Sequence, residues 1–187
     1  GMAQPEGYRK TARQMKMAED FELPLISFID TPGAYPGIES EERGMSEAIA
    51  KNLSLLSNLK TPIIVIITGE GGSGGALAIG IGDHVCMLEH SIYAVASPEA
   101  CASIVWRDGS KAKDAAEAMK VDASNLQNLG LVDEVIEEPL GGAHRDIRGV
   151  SNSISQVIEK KLLTFDEVDI SDLLNKRYEK IMSYGSI

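Results

Sequence analysis

Two glycine-rich stretches hold most of the chemistry this sequence can offer. The denser one, Gly69-Glu70-Gly71-Gly72-Ser73-Gly74-Gly75-Ala76, places five glycines in the seven positions up to Gly75. Glycine costs conformational entropy on folding and is kept where backbone must turn sharply or approach another group closely. A glycine loop feeding a helix start presents free backbone N–H groups at the positive end of the helix dipole. Those groups can hold a phosphate, or an oxyanion that develops during a reaction. The plainer reading is a tight strand-to-helix turn packed on a sheet. The second stretch is Asp30-Thr31-Pro32-Gly33-Ala34, which follows an apolar run.

Three chemistries compete for the denser loop. A phosphate loop of the nucleotide-hydrolase kind has the glycine spacing of Gly69 to Gly74. It then needs Lys and Ser/Thr where this chain has Gly75 and Ala76, so the phosphate lysine and magnesium hydroxyl are missing. A serine hydrolase is the second. Gly71-Gly72-Ser73-Gly74-Gly75 fits the G-x-S-x-G elbow, and Asp133 and His144 follow in the chain order of a triad. Against it, His144 lies in a stretch with no strand to hold it, and His84 and His90 flank an expected strand and read as surface residues. The third is an oxyanion hole with no protein nucleophile, in which the N–H groups of Gly74 and Gly75 polarise a carbonyl so that a neighbouring carbon can become an enolate.

The elements that must position these loops read as alternating strands and helices. An amphipathic helix after Pro5 carries Tyr8, Ala12, Met15 and Ala18 at helical spacing. Leu23 to Ile29 reads as a buried strand, followed by the Asp30 loop and one helix from about Ser40 to Asn58. Ile63 to Ile67 is an unbroken β-branched run, the strongest strand signal. The glycine loop and a small-residue helix over Ala76 to Gly80 come next. Short strands follow at Val85–Leu88 and Ile92–Ala96, and a helix opens at Pro98. Helices at 111–119 and 123–129, a strand at 131–136, and closing helices at 150–163 and 170–184 complete the pattern. Strands alternating with helices predict an α/β fold with a largely parallel sheet. In such a sheet ligands gather at the carboxyl ends of strands, where both loops fall.

Composition narrows the function. The 187 residues suit one domain of ordinary size. Eighteen basic residues against 28 acidic ones give a net charge of −10, which disfavours binding to DNA or an anionic membrane surface by bulk electrostatics. Cys86 and Cys101 form neither a zinc module nor a disulfide scaffold, and no metal site is expected. No apolar run is long enough to cross a bilayer.

Longer motifs run the length of the chain: Pro5-Glu6-Gly7-Tyr8-Arg9-Lys10, Phe28-Ile29-Asp30-Thr31-Pro32-Gly33-Ala34-Tyr35-Pro36-Gly37, Glu41-Glu42-Arg43-Gly44, the glycine loop through Gly80, Ser97-Pro98-Glu99, Trp106-Arg107-Asp108, Glu138 through Asp146, and Arg177-Tyr178. With these the chain closely resembles the carboxyltransferase alpha subunits of multisubunit bacterial or plastid acetyl-CoA carboxylase. The resemblance covers essentially the whole chain in order.

The resemblance implies a crotonase (ClpP-like) superhelical α/β fold. Residues 1–140 would be a carboxyltransferase core lacking the N-terminal part of the family domain, and 141–187 a C-terminal helical extension of that domain. It implies transfer of a carboxyl group from carboxybiotin to acetyl-CoA, giving malonyl-CoA, the first committed step of fatty acid synthesis. Carboxybiotin would arrive on a biotin carboxyl carrier protein, with none bound covalently to this chain. A beta subunit would carry zinc and complete an α2β2 core containing homodimer contacts. A biotin carboxylase completes the system, and ATP is bound at the level of the complex. In this family carbon dioxide is released from carboxybiotin, the biotin enolate takes a methyl proton from acetyl-CoA, and the acetyl enolate attacks the carbon dioxide. By position, Gly74 and Gly75 would supply the oxyanion hole for the biotin enolate. Gly33, Ala34, Gly71, Gly72 and Ser73 would border the substrates, Ser73 as a small loop residue. Arg9, Lys10, Arg43, Arg107 and Lys111 are candidates for the CoA phosphates. The expected location is the cytoplasm, or the plastid stroma in a plant or alga.

Overall fold

The computed structural model describes residues 1–185. Helix α1 (Pro5–Asp20) has its proline in the first turn, where the missing N–H costs nothing. It buries Tyr8, Ala12 and Met15. Strand β1 (Leu25–Thr31) leads through the Asp30 loop to two helices, α2 (Ile38–Glu42) and α3 (Met45–Asn58). The single helix expected from Ser40 to Asn58 is thus broken. Gly44 adopts φ 78°, a left-handed conformation that interrupts the helix and restarts it as the α3 N-cap.

Strand β2 (Ile63–Gly72) runs on through residues expected to be loop, and α4 (Ser73–Leu77) begins directly after it. The remaining elements are β3 (His84–Leu88), β4 (Ile92–Ala94), α5 (Pro98–Trp106), α6 (Ala112–Met119), α7 (Ala123–Asn128), β5 (Glu134–Ile136), α8 (Ile147–Phe165) and α9 (Ile170–Ser183). The last strand is shorter than expected because the Leu131 and Val132 N–H groups close the end of α7 on the Leu126 carbonyl. Side-chain caps open four helices. Ser97, Asp122, Asp146 and Asp169 accept from Ala100, Asn125, Gly149 and Ser171 N–H respectively.

The sheet is parallel, with order β1-β2-β3-β5. β2 changes partner along its length. Its first half pairs with β3, from Ile64 opposite His84 to Ile67 opposite Met87. Its second half pairs with β4, with Glu70, Gly71 and Gly72 opposite Ile92, Tyr93 and Ala94. The β1–β2 register slips between Ile29 and Thr31, so that Thr31 faces Gly71.

Side chains alternate between the two faces of the sheet, as the pleat requires. Ile63, Val65, Ile67, Val85 and Met87 pack with Met15, Leu56 and Leu126 from α1, α3 and α7 and with Leu59 just past the end of α3. Ile64, Ile66, Cys86, Leu88 and Ile136 face Val150, Ile154, Val157, Ile158 and Leu162 of α8. Both faces of β2 are therefore covered, and this explains its unbroken apolar run.

Helix α9 anchors the amino end of the sheet. Its Arg177 is 1% exposed. The guanidinium makes two hydrogen bonds to the Asp83 carboxylate at 2.8 and 2.7 Å. It also donates to the carbonyls of Leu56, Leu59 and Thr61. Asp83 in turn accepts from Ile63 N–H at 2.8 Å, tying the start of β2 to this pair.

Candidate active site

The two glycine-rich stretches meet. At the carboxyl end of β1, the Thr31 hydroxyl donates to the Gly33 carbonyl at 2.8 Å and accepts from Gly33 N–H at 3.1 Å. This folds the Asp30 loop over the end of β2. Asp30 accepts from Glu70 N–H at 3.1 Å. A side chain on Gly69 would collide with that carboxylate, and one on Gly72 would overlap the Pro32 carbonyl. A side chain on Gly75 would place its Cβ 2.9 Å from Gly33 Cα and closer still to the Gly33 carbonyl carbon and Ala34 nitrogen. Glycine is therefore required by contact at Gly72 and Gly75.

Gly74 differs. A Cβ there would meet only Ile49, at an ordinary 3.6 Å. Gly71 is paired with Thr31 of the Asp30 loop, and a Cβ on it would meet Tyr93 of β4. Among the sequence-expected residues, Gly33, Ala34, Gly72, Ser73 and Gly75 are thus brought together. Gly74 sits one step toward α3, and Gly71 lies beside Thr31 in the strand register.

Gly74 and Gly75 lie in the first turn of α4, where N–H groups have no intrahelical acceptor. Among the described residues, Ala34 N–H across the junction donates to no backbone carbonyl. The result is a cluster of unengaged donors at the junction of two loops, with Gly75 buried and Ser73 exposed. Its chemical capacity is to bind negative charge on an oxygen without using a side chain.

Beside this cluster lies a cavity of about 320 Å3 bordered by Ser73 and Gly74. Its walls are mostly apolar, including Leu77, Val85, Leu126, Leu131 and Ile181, with Tyr93 and Tyr184. Burial, and then the nearby Asp133 and Tyr93, push the Tyr184 phenol up to about 12, so it stays neutral at physiological pH. These wall residues come from segments far apart in the chain. No local motif marks them, and only the hydrophobicity of α7 and α9 hinted at their burial.

The hydrolase constellation is not assembled. Ser73 does sit in a strand–turn–helix with φ 54°, a left-handed backbone uncommon for a residue with a Cβ. Among the described residues, however, no histidine lines the cavity that Ser73 borders. Asp133 is engaged by Lys180 and by Val85 N–H. His144 is exposed, and its neighbour Ala143 packs with the α8 side of the sheet, opposite the cavity wall formed by Val85 and Leu126.

The reading of His84 as a surface residue also fails. It is 6% exposed and bonds the Glu134 carboxylate through Nε2 at 3.0 Å. With Cys86 these two form a cluster whose ligand-type atoms lie within 4.8 Å of one another. Burial, with Glu134 and Asp133, pushes the Cys86 thiol up to about 12. A cation there would have to displace that proton and compete with the nearby charge of Lys161. The His84–Glu134 hydrogen bond accounts for the cluster without one.

The phosphate candidates divide. Arg9 and Lys10 line a groove between α1 and α3. Arg43 is held by Glu6 and Gln4. Arg107 caps α5 in a left-handed conformation, and Lys111 ends the turn that follows.

Comparison with known proteins identifies similar chains. Residues 1–185 match the family described as acetyl co-enzyme A carboxylase carboxyltransferase-like. An acetyl-coenzyme A carboxylase carboxyl transferase subunit alpha from Alcanivorax borkumensis is 57% identical over 187 residues, all of this chain and 58% of that protein. The protein of the same name from Azotobacter vinelandii is 58% identical over 99% of this chain and 58% of its own length. The chain thus spans a little under three-fifths of the curated relatives it matches. Among solved structures, transcarboxylase 12S superposes with a TM-score of 0.68 at 23% identity, over 83% of this chain and 31% of that one. The geranyl-CoA carboxylase beta subunit of Pseudomonas aeruginosa superposes with a TM-score of 0.68 at 18% identity, over 95% and 33%. At these identities the likeness speaks to the fold, which is the crotonase-like α/β architecture expected above.

Proposed function

The chain belongs to the acetyl co-enzyme A carboxylase carboxyltransferase-like family, and from that premise we propose that it forms the alpha-subunit half of a carboxyltransferase site. The reaction moves a carboxyl group from carboxybiotin, borne by a carrier protein, to acetyl-CoA, and yields malonyl-CoA. A zinc-bearing beta subunit supplies the other half, in an α2β2 core that works with a biotin carboxylase in the cytoplasm.

The observation that carries this reading is the junction of Ala34 with Gly75, where backbone contact excludes any side chain and N–H groups are left free. Carboxybiotin supplies the carboxyl group. The N–H groups of Gly74 and Gly75 hold the negative charge that develops on a carbonyl oxygen beside them. Such donors act without reorganising, because the strand–helix turn has already oriented them. Gly33 and Ala34 wall the opposite side, and Thr31 fixes their backbone. Ser73 and the apolar cavity beyond it receive the carrier-borne group and exclude water from it. Gly71 and Gly72 let β4 and the Asp30 loop close on the site. Residues 141–185 extend the same domain, contributing Ile181 and Tyr184 to the cavity, and the last two residues of the expected extension lie outside the described residues.

Malonyl-CoA formation, measured with the beta subunit and carboxylated carrier protein each present or omitted, tests the reading. Product is expected only when both are present, with no labelling of Ser73 by a fluorophosphonate. Labelled Ser73 together with partner-free ester hydrolysis would replace this reading with a serine hydrolase.

A further inference from the structure

In a chain of net charge −10, five cations converge on one groove. The groove measures about 830 Å3 and runs between α1 and α3. Arg9, Lys10, Arg13 and Lys16 come from α1, and Lys51 from α3, with Glu6 as the one carboxylate among the lining residues. Glu6 is already bound to Arg43 at 2.7 Å. Arg9 reaches Glu47 at 3.7 Å. Among the described residues, no carboxylate comes within 4 Å of Lys10, Arg13, Lys16 or Lys51. Like charges held along one channel repel, and a multivalent anion relieves that repulsion.

The spacing suits such an anion. Arg9, Arg13 and Lys16 fall at i, i+4 and i+7 and share one face of α1 over about 10 Å. Lys51, Ser54, Leu55 and Asn58 form the facing stripe of α3, adding a hydroxyl, an amide and an apolar wall. Arginine offers a planar fork for phosphoryl oxygens, and lysine a mobile point charge.

The groove is not the site at Gly75. Ile49 is the α3 residue beside Gly74. At ~100° per residue the groove stripe of α3 centres roughly opposite Ile49. No residue lines both the groove and the cavity at Ser73.

We propose that this groove binds a small ligand carrying at least two phosphoryl groups, at a site separate from the substrates. The inference stands independently of the proposed reaction, because its test reads binding and not turnover. Inorganic pyrophosphate is titrated calorimetrically into the intact protein at physiological ionic strength. One-site binding is expected, tighter than for inorganic phosphate. It should weaken about tenfold or more in Arg13→Gln/Lys51→Gln and persist in Lys113→Gln/Lys160→Gln, which removes equal charge from α6 and α8. Acetyl-CoA should not compete. Absence of binding, or equal weakening in both double variants, would overturn the proposal. So would competition by acetyl-CoA, which would make the groove part of the substrate site. Tighter displacement by an oligo-aspartate peptide would assign the groove to an acidic protein partner instead.

Discussion

The two ends of β2 solve opposite problems with opposite means. At its amino end, backbone carbonyls converge in a buried place, and a single charged side chain, Arg177, satisfies three of them while pairing with Asp83. At its carboxyl end, side chains are excluded at Gly72 and Gly75 by the backbone of the Asp30 loop, and the first turn of α4 begins there. Between them lies Ile63 to Ile67, with every residue 0% exposed. Stability is concentrated where side chains fill space and satisfy polar groups. The proposed binding site lies where bare backbone makes close approach possible.

The amino end should be the more fragile. Arg177→Met leaves the Asp83 carboxylate and three carbonyls buried without their donor. A loss of about 3–5 kcal/mol is expected in urea denaturation. A loss below about 1 kcal/mol would mean that the region rearranges and that the contrast between the two ends is false.

At the carboxyl end, adjacent glycines should respond with opposite sign. Gly75→Ala forces a methyl into the Gly33–Ala34 backbone, and a destabilisation of about 1–3 kcal/mol is expected. Gly74→Ala has room against Ile49 and lies within a helix, so it should be neutral or stabilising by up to about 1 kcal/mol. Thermal melts of the two variants would show the difference. Equal responses would remove the steric argument for Gly75.

The smallest effect concerns His84, paired in register with Ile64 on β2. Burial holds its imidazole below the usual 6.5, despite the opposing bond to Glu134. The native state therefore binds fewer protons than the unfolded chain at this site. Its contribution is fully present above about pH 6.5 and declines as pH falls from there toward the lowered native value. His84→Gln should flatten that slope in stability measured against pH. An unchanged slope would assign the acid sensitivity to other groups.

Much of this was legible from residue order. The β-branched run at Ile63–Ile67 can only be a strand buried on both faces, and Pro98 behind Ser97 marks a helix start. The glycine loop announced that backbone would matter there. It did not reveal that Gly69 to Gly72 are strand, because their extended state depends on β4, some twenty residues later, supplying a new partner. Nor could spacing distinguish Gly74 from Gly75, since the difference lies in what Ala34 occupies across the junction. The break at Gly44 was hidden because a lone glycine in a helical pattern is often tolerated. Burial of Arg177 and His84, and the wall formed by Tyr184, arise from tertiary contacts between distant segments.

The central claim is that backbone, not the Ser73 side chain, does the chemistry at the end of β2. Malonyl-CoA formation by the partner-complete system should be compared for Ser73→Ala and Gly75→Val, with far-UV circular dichroism confirming that each is folded. Ser73→Ala is expected to keep its rate within about twofold, while Gly75→Val loses about 10²–10³-fold. Loss of activity in Ser73→Ala, or full activity in a folded Gly75→Val, would contradict the backbone assignment.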